Sequence, residues 1–125
     1  MIIYVDCDDT LVLWDDEEVD GIMLRSSPYP NTALIEAVDT LIAQTGALVV
    51  VWSGGGKEYA QDWADKYVPH WNAAAMDKHE CIRLPDIGDI CIDDMEIGVR
   101  ADLYFPGRFI THVEEYLRAI STTEG

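Results

Sequence analysis

The sequence has few basic residues. It contains 8 Lys and Arg against 24 Asp and Glu, so its formal net charge is −16 over 125 residues. Nucleic-acid binding depends on Lys and Arg side chains that neutralise phosphates, so a long polyanion is disfavoured as a partner. A few local cations could still hold one small anion. An acidic surface is equally consistent with a saline habitat, so the charge alone does not define the substrate.

Cysteine pairs and long apolar runs are also missing. Cys7, Cys81 and Cys91 are an odd number without CxxC spacing, so we expect reduced cysteines rather than disulfides or a zinc framework. No apolar run reaches the roughly 18 residues that span a bilayer. The N-terminus has no basic segment followed by a long apolar stretch and a cleavage site, so no secretory signal is expected. These absences favour a cytoplasmic location and no membrane partner.

Short apolar runs alternate with helical periodicity along the chain. The predicted strands are residues 2–6, 47–52, 88–93 and 102–105. The predicted helices are residues 32–45, 57–68 and 108–120, and the tail 121–125 is expected to fray. This order predicts a single α/β domain over residues 1–125, a three-layer Rossmann-like parallel sheet with helices on both faces.

Polar side chains close three of the predicted strands. Asp6 ends the first strand, Ser53 follows the second, and Asp93 and Asp94 end the third. Ligands of such sheets gather beyond the carboxyl ends of the strands, so these side chains are expected at one rim. Side chains alternate along an extended chain, which places Asp8 on the same side as Asp6. The sequence therefore predicts a functional site at this rim.

Clustered carboxylates repel one another and raise one another's pKa unless a cation lies among them. Magnesium is the predicted cation, because it prefers hard oxygen ligands. No histidine lies beside these acids and Cys7 points away from them, which argues against zinc. The alternative is purely structural. In it Asp8 and Asp9 only form a turn, and Asp93 and Asp94 cap the element that follows them.

The motif DCDDT, residues 6–10, resembles the DxDxT signature of the haloacid dehalogenase (HAD) superfamily, in the form found in its phosphatases. The other motifs follow in the family's order. Ser53 is similar to the second motif, Lys78 in AAMDKHE to the third, and the acidic pair in ICIDDME to the fourth. The resemblance covers residues 2–105 and implies a small member without a cap domain. Residues 11–30 are long enough only for a flap.

The resemblance implies a role for each acid. Asp6 would be the nucleophile that forms an aspartyl-phosphate, and Asp8 would be the general acid and then the general base. Magnesium would be held by the Asp6 carboxylate, the backbone carbonyl of Asp8 and the Asp93 carboxylate, with Asp94 as a further ligand. An acid at position 8 favours phosphate ester hydrolysis, because a dehalogenase needs no proton for its leaving halide.

The resemblance also implies a phosphate-binding set. Lys78 would neutralise the phosphoryl oxygens together with magnesium, and Ser53 would donate a hydrogen bond to one of them. The backbone N–H groups of Gly54 and Gly55 are further candidate donors. Thr10, which also belongs to this phosphate-binding set, would help to fix the loop after the first strand.

Three assignments stay open at this point. Lys57, directly after the SGGG segment, competes with Lys78 as the phosphate-binding lysine. Asp9 stands where the family commonly has glycine, and it is interpreted as a loop residue rather than a ligand. Trp14 and Tyr29 in the flap either pack against the core or rim, or stack on a substrate.

The expected function is a magnesium-dependent phosphatase that hydrolyses a phosphomonoester through an aspartyl-phosphate. One alternative is a non-catalytic acidic binding or regulatory protein on the same fold, and another is a phosphotransferase. The charge favours a small-molecule substrate, whereas an open site without a cap favours a bulky one. The identity of the ester and a possible homo-oligomer are not determined by the sequence.

Overall fold

The computed structural model describes residues 1–94 and the backbone of the strand at residues 103–106. The predicted helix 108–120 and the frayed tail lie outside the described residues. The strands in chain order are β1 (Ile2–Asp6), β2 (Val12–Val19), β3 (Ile22–Pro30), β4 (Leu48–Ser53), β5 (Ala74–Asp77), β6 (Ile90–Asp93) and β7 (Leu103–Pro106). The helices are α1 (Thr32–Thr45), α2 (Lys57–Tyr67), a 3₁₀ turn (Pro69–Trp71) and the short α3 (Lys78–Cys81).

The main sheet is parallel and has the strand order β5-β4-β1-β6-β7. Together with the helices between its strands, this sheet makes the protein an α/β protein with a Rossmann-like arrangement. From β1 the chain runs outward through β4 to β5, then returns to the other side of β1 to form β6 and β7. The order therefore reverses between β1 and β6, and in open parallel sheets ligands bind at the carboxyl ends next to such a reversal.

The core lies against the two faces of this sheet. Alternate residues of β1 point in opposite directions, so Ile3 and Val5 join the larger buried cluster with α1 and α2. Tyr4 points the other way and joins a smaller cluster that contains Trp52, with the two rings 4.7 Å apart. Because β1 is buried on both faces, the strand and the carboxylate at its end are held firmly.

Helix α1 has the boundaries that its sequence signals predict. The Asn31 side chain accepts a hydrogen bond from the Leu34 N–H at 3.3 Å and caps the first turn. Gly46 ends the helix in the left-handed conformation, and its N–H donates to the Ile42 carbonyl. The apolar residues Leu34, Val38 and Leu41 of this helix are buried in the larger cluster.

The predicted flap is an antiparallel hairpin formed by β2 and β3. Asp20 and Gly21 form its turn, with φ values of 52° and 79°. An Asp-Gly pair with two positive φ values is typical of the two-residue turns that join antiparallel strands. The sequence analysis predicted no strands here, although this pair was a usable signal for them.

The segment before Lys78 also differs from the prediction. The helix 57–68 was the one element predicted between the strands 47–52 and 88–93, but β5 occupies Ala74–Asp77 and pairs with β4 in parallel. The sequence AAMD has no β-branched residue, so its strand conformation comes from the pairing with β4 rather than from intrinsic propensity. Within the part of the chain that the structure describes, no helix is long and apolar enough to cross a membrane.

Candidate functional site

Three carboxylates meet at the carboxyl ends of β1 and β6. One oxygen from each of Asp6, Asp93 and Asp94 lies within 4.8 Å of the others. Asp6 and Asp93 are only 7% and 1% exposed, and Asp94 is half-buried. They meet because β1 and β6 are neighbouring parallel strands with Val5 opposite Ile92, so both strands end at the same level. This is the rim at which the sequence predicted a site.

Lys78 supplies a positive charge to this group. It follows β5 directly, and its Nζ lies 3.2 Å from Asp6 Oδ1 and 2.7 Å from Asp93 Oδ2. Its side chain is 15% exposed. Among the residues that the structure describes, Lys78 is the ammonium group that faces the three carboxylates, and one such group offsets one of their three charges when all are ionised.

The crowding changes how the site holds protons. Burial and the neighbouring Asp93 charge raise the pKa of Asp6 to about 7, although Lys78 acts in the opposite direction. Burial and the hydrogen bond with Asp93 also raise the pKa of Asp94. Burial lowers the pKa of Lys78, but its bond to Asp93 and the Asp6 charge outweigh that effect and raise it overall. Lys78 is therefore charged at neutral pH.

The donor set fits a hard divalent cation. The three side chains offer only carboxylate oxygens, and these are the ligands that magnesium prefers in proteins. Burial is the main cause of the raised pKa of Asp6 and the Asp93 charge adds to it, so a divalent ion at this position would favour the ionised carboxylate. The Asp8 carboxylate is not one of the three clustered groups, and the magnesium contact predicted for the Asp8 backbone carbonyl stays a prediction.

The loop after β1 is wound tightly around Asp6. The Thr10 hydroxyl donates to Asp6 Oδ2 at 3.3 Å, while the Thr10 carbonyl accepts from the Asn31 side chain at 2.9 Å. Both Thr10 and Asn31 are buried. The N-terminal cap of α1 thus also anchors this loop. Thr10 fixes the Asp6 carboxylate directly, which is closer to the site than the role expected for it.

Asp9 has a φ of 60°, in the left-handed region that favours glycine and that Asp tolerates. Its side chain forms an ion pair with Arg25 of β3 at 2.5 Å. The Arg25 side chain is half exposed, and its bond to Asp9 raises its pKa. Asp9 is therefore a turn residue that links the loop to the hairpin, as the sequence interpretation held.

The Asp8 carboxylate lies in a separate set of contacts. Its Oδ1 accepts a hydrogen bond from the Tyr59 hydroxyl at 2.8 Å and a longer one from Trp14 Nε1 at 3.3 Å. From the sequence, Trp14 was expected either to pack or to stack on a substrate, and in the structure it packs edge-on against Trp63. Tyr59 was not predicted as a site residue, because it lies 51 residues from Asp8 and no local pattern connects the two.

Ser53 ends β4 at the same rim and is 3% exposed. Its hydroxyl oxygen accepts the Gly55 N–H at 3.0 Å, so the phosphate contact predicted for that N–H competes with this bond. The Ser53 hydroxyl can still donate its own hydrogen. A Cβ at Gly54 would lie 2.9 Å from His79 Nε2, which shows how closely the segment after β5 approaches the glycine loop.

The two candidate lysines lie in different places. Lys78 contacts Asp6 and Asp93, whereas Lys57 is the exposed first residue of α2. The structure thus brings Lys78, rather than Lys57, to the carboxylates.

Models of known protein families, curated proteins and solved structures were compared with this chain, and none of them matches it. The similarity of its motifs to the HAD superfamily therefore remains an expectation from the sequence.

Proposed function

We propose that the protein is a magnesium-dependent phosphatase of the HAD type that hydrolyses a phosphomonoester. The observation that carries this proposal is the position of Lys78, whose Nζ bridges Asp6 and Asp93 inside a group of three carboxylates. Such a group combines a nucleophile, ligands for a hard cation and a fixed positive charge, which are the parts that phosphoryl transfer needs.

Asp6 is the proposed nucleophile. Hydrogen bonds from Thr10 and Lys78 hold its two oxygens in fixed directions. One carboxylate oxygen attacks phosphorus, the bond between phosphorus and the ester oxygen breaks, and Asp8 gives a proton to the departing oxygen. Asp8 then takes a proton from the water that hydrolyses the aspartyl-phosphate, which restores both side chains.

Several groups would hold the phosphoryl oxygens. Bound magnesium, held by the carboxylates of the site, would supply positive charge against them. Lys78 would add a second positive charge, and the Ser53 hydroxyl would donate a hydrogen bond. These interactions stabilise the transition state because charge is spread over the oxygens that they contact.

The architecture proposed with this function is a three-layer domain without a cap, in which the β2–β3 hairpin is the flap. The hairpin carries four consecutive acids, Asp15, Asp16, Glu17 and Glu18, all of them exposed. We expect these charges to repel substrates that carry much negative charge beyond the phosphoryl group. A small phosphomonoester is therefore the favoured substrate.

The test is hydrolysis of p-nitrophenyl phosphate by the purified protein. We expect turnover with magnesium, none after addition of a chelator, and none for Asp6→Asn. Mass spectrometry of the acid-quenched enzyme should find a phosphoryl group on Asp6. A wild-type protein that is inert towards a broad panel of phosphomonoesters in the presence of magnesium would refute the proposal.

The same residues could transfer the phosphoryl group to an alcohol. Competing alcohols in the assay separate the two reactions, because a phosphotransferase yields a new phosphate ester where a phosphatase yields inorganic phosphate.

A non-catalytic binding role is the second candidate, favoured by exposed apolar side chains at the acidic hairpin tip, such as Ile22 and Met23 at 61% each. In that case a basic partner would bind Asp6→Asn as tightly as it binds the wild type.

A further inference from the structure

Two donors that are far apart in the sequence converge on one oxygen of Asp8. Trp14 comes from β2 in the hairpin, and Tyr59 comes from α2. Trp14 Nε1 lies 3.3 Å and the Tyr59 hydroxyl 2.8 Å from the same atom, Asp8 Oδ1. The hydrogen bonds from Trp14 and Tyr59 therefore both go to Oδ1 of the carboxyl group and not to Oδ2.

Aromatic packing holds both donors in place. The Trp63 ring contacts the Trp14 ring edge-on at 5.8 Å and the Tyr59 ring at 6.2 Å, with interplanar angles of 85° and 79°. A Cβ at Gly55 would lie 3.1 Å from the Tyr59 ring, so this ring sits directly against the glycine loop. Burial, together with the Asp8 carboxylate, raises the pKa of Tyr59, and the hydroxyl therefore keeps its proton at neutral pH.

We propose that Tyr59 and Trp14 are positioning residues that assign different tasks to the two oxygens of Asp8. Oδ1 is the oxygen that accepts their hydrogen bonds, and Oδ2 is the oxygen that carries the transferred proton. The reason is that the hydroxyl oxygen of a protonated carboxyl group is a poor acceptor, so two donors on Oδ1 place the proton on Oδ2. This inference depends on the proposed phosphatase function, and it makes an aromatic cluster part of the proton transfer.

In both half-reactions the transferred proton leaves or joins Oδ2 of Asp8. In the first, the Oδ2–H bond breaks and the proton goes to the ester oxygen as that oxygen leaves phosphorus. In the second, a water molecule gives a proton to Oδ2 while its oxygen attacks the aspartyl-phosphate, and the bond between phosphorus and Asp6 breaks. Tyr59 and Trp14 keep their own protons throughout and contact neither reacting atom.

The consequence is a dependence on the leaving group. An alkoxide leaves only with a proton, whereas p-nitrophenolate is stable enough to leave without one. If Asp8 is less well oriented, the hydrolysis of an alkyl phosphate should therefore become slower, whereas the hydrolysis of an activated aryl phosphate should change little. A purely structural role for Tyr59 would slow both esters alike.

The experiment compares Tyr59→Phe with the matched control Tyr67→Phe. Both lie on α2 and contact Trp63, but only Tyr59 bonds to Asp8. For glycerol 3-phosphate we expect kcat/KM of Tyr59→Phe to fall about five- to tenfold, the size of one lost hydrogen bond. For p-nitrophenyl phosphate we expect a change of less than about twofold, because that ester needs no acid. Tyr67→Phe should match the wild type on both esters.

Trp14→Phe should show the same selectivity with a smaller loss, since its bond to Asp8 is longer. The ratio kcat/KM is used because it reports the step that transfers the phosphoryl group to Asp6 and excludes the later hydrolysis. Equal losses on both esters, or no loss for Tyr59→Phe on the alkyl ester, would overturn the inference.

A second readout does not require activity. A double-mutant cycle of Tyr59→Phe and Asp8→Ala in urea unfolding should show a coupling of about fivefold in the folding equilibrium constant. Coupling in a protein that is inert towards the broad panel of phosphomonoesters would support the Tyr59–Asp8 contact and refute the phosphatase. Hydrolysis of both esters without coupling or selectivity would keep the phosphatase and refute the positioning role.

Discussion

Neutralising Asp6 should stabilise the protein in the absence of divalent cations, although it abolishes the proposed activity. In the folded chain Asp6 is 7% exposed and shares its site with Asp93 and Asp94. The single ammonium group of Lys78 does not balance them. In Asp6→Asn one of the three charges is removed with almost no change in shape, so Lys78 has only two carboxylates to balance.

The size of the effect follows from the pKa of Asp6. Its pKa is about 7 in the folded chain and 3.8 in the reference state. The folded protein therefore holds this proton to higher pH than the unfolded chain, and the free energy of unfolding falls as pH rises from about 4 to about 7. The difference between these two pKa values corresponds to a loss of roughly 4 kcal/mol in the free energy of unfolding. Asp6→Asn should recover up to that amount at pH 8 and nothing at pH 4.

The assay is urea unfolding with a chelator present, at pH 4 and at pH 8. The matched control is Asp62→Asn, which removes the same charge from an exposed position on α2 and should change stability by less than about 0.5 kcal/mol. Magnesium should stabilise the wild type more than Asp6→Asn at pH 8. If Asp6→Asn were the less stable protein at pH 8, the three carboxylates would not be in conflict and the argument for a cation would fail.

Three further predictions follow from the same geometry. Lys78→Met should lower kcat/KM for p-nitrophenyl phosphate roughly 100-fold, as expected for a lost charge at the phosphoryl oxygens, while Lys57→Met stays near the wild type. Magnesium titrated calorimetrically at pH 7 in two buffers of different ionisation enthalpy should release about half a proton per ion, because the pKa of Asp6 is about 7. Magnesium binding without proton release would contradict this prediction. With a thiol reagent, half-exposed Cys81 should react first in the native protein, since Cys7 and Cys91 are buried and burial raises the pKa of both. Simultaneous reaction of all three thiols would contradict the fold.

Helix α1 shows where sequence patterns were sufficient. Its cap at Asn31, its apolar face and its stop at Gly46 all lie within one local segment, and the structure has the helix at the predicted residues 32–45. Strand β1 was also predicted with its observed bounds, and β4 and β7 were each predicted within one residue. The residues of these elements favour the observed helix or strand by themselves, so short-range patterns identify them.

Strand β5 and the hairpin show where the patterns failed. The four residues of β5 have weak strand propensity, and they form a strand because β4 offers a free edge. The hairpin contains consecutive acids, so its first strand lacks the alternation of polar and apolar residues that identifies most half-buried strands. For β5 the partner strand determines the conformation, whereas the hairpin also has a local signal in its Asp20-Gly21 turn.

The sequence by itself determined which chemistry was available: acids at the ends of β1 and β6, a serine at the end of β4, and too few cations to balance them. Only the tertiary structure decided which of these groups meet. It brought Lys78, the residue directly after β5, to Asp6, and it placed Tyr59 on Asp8 across 51 residues of chain. The physical reason is that alternation and helical period act over a few residues, whereas these contacts are set by strand order and by the packing of α2 on the sheet.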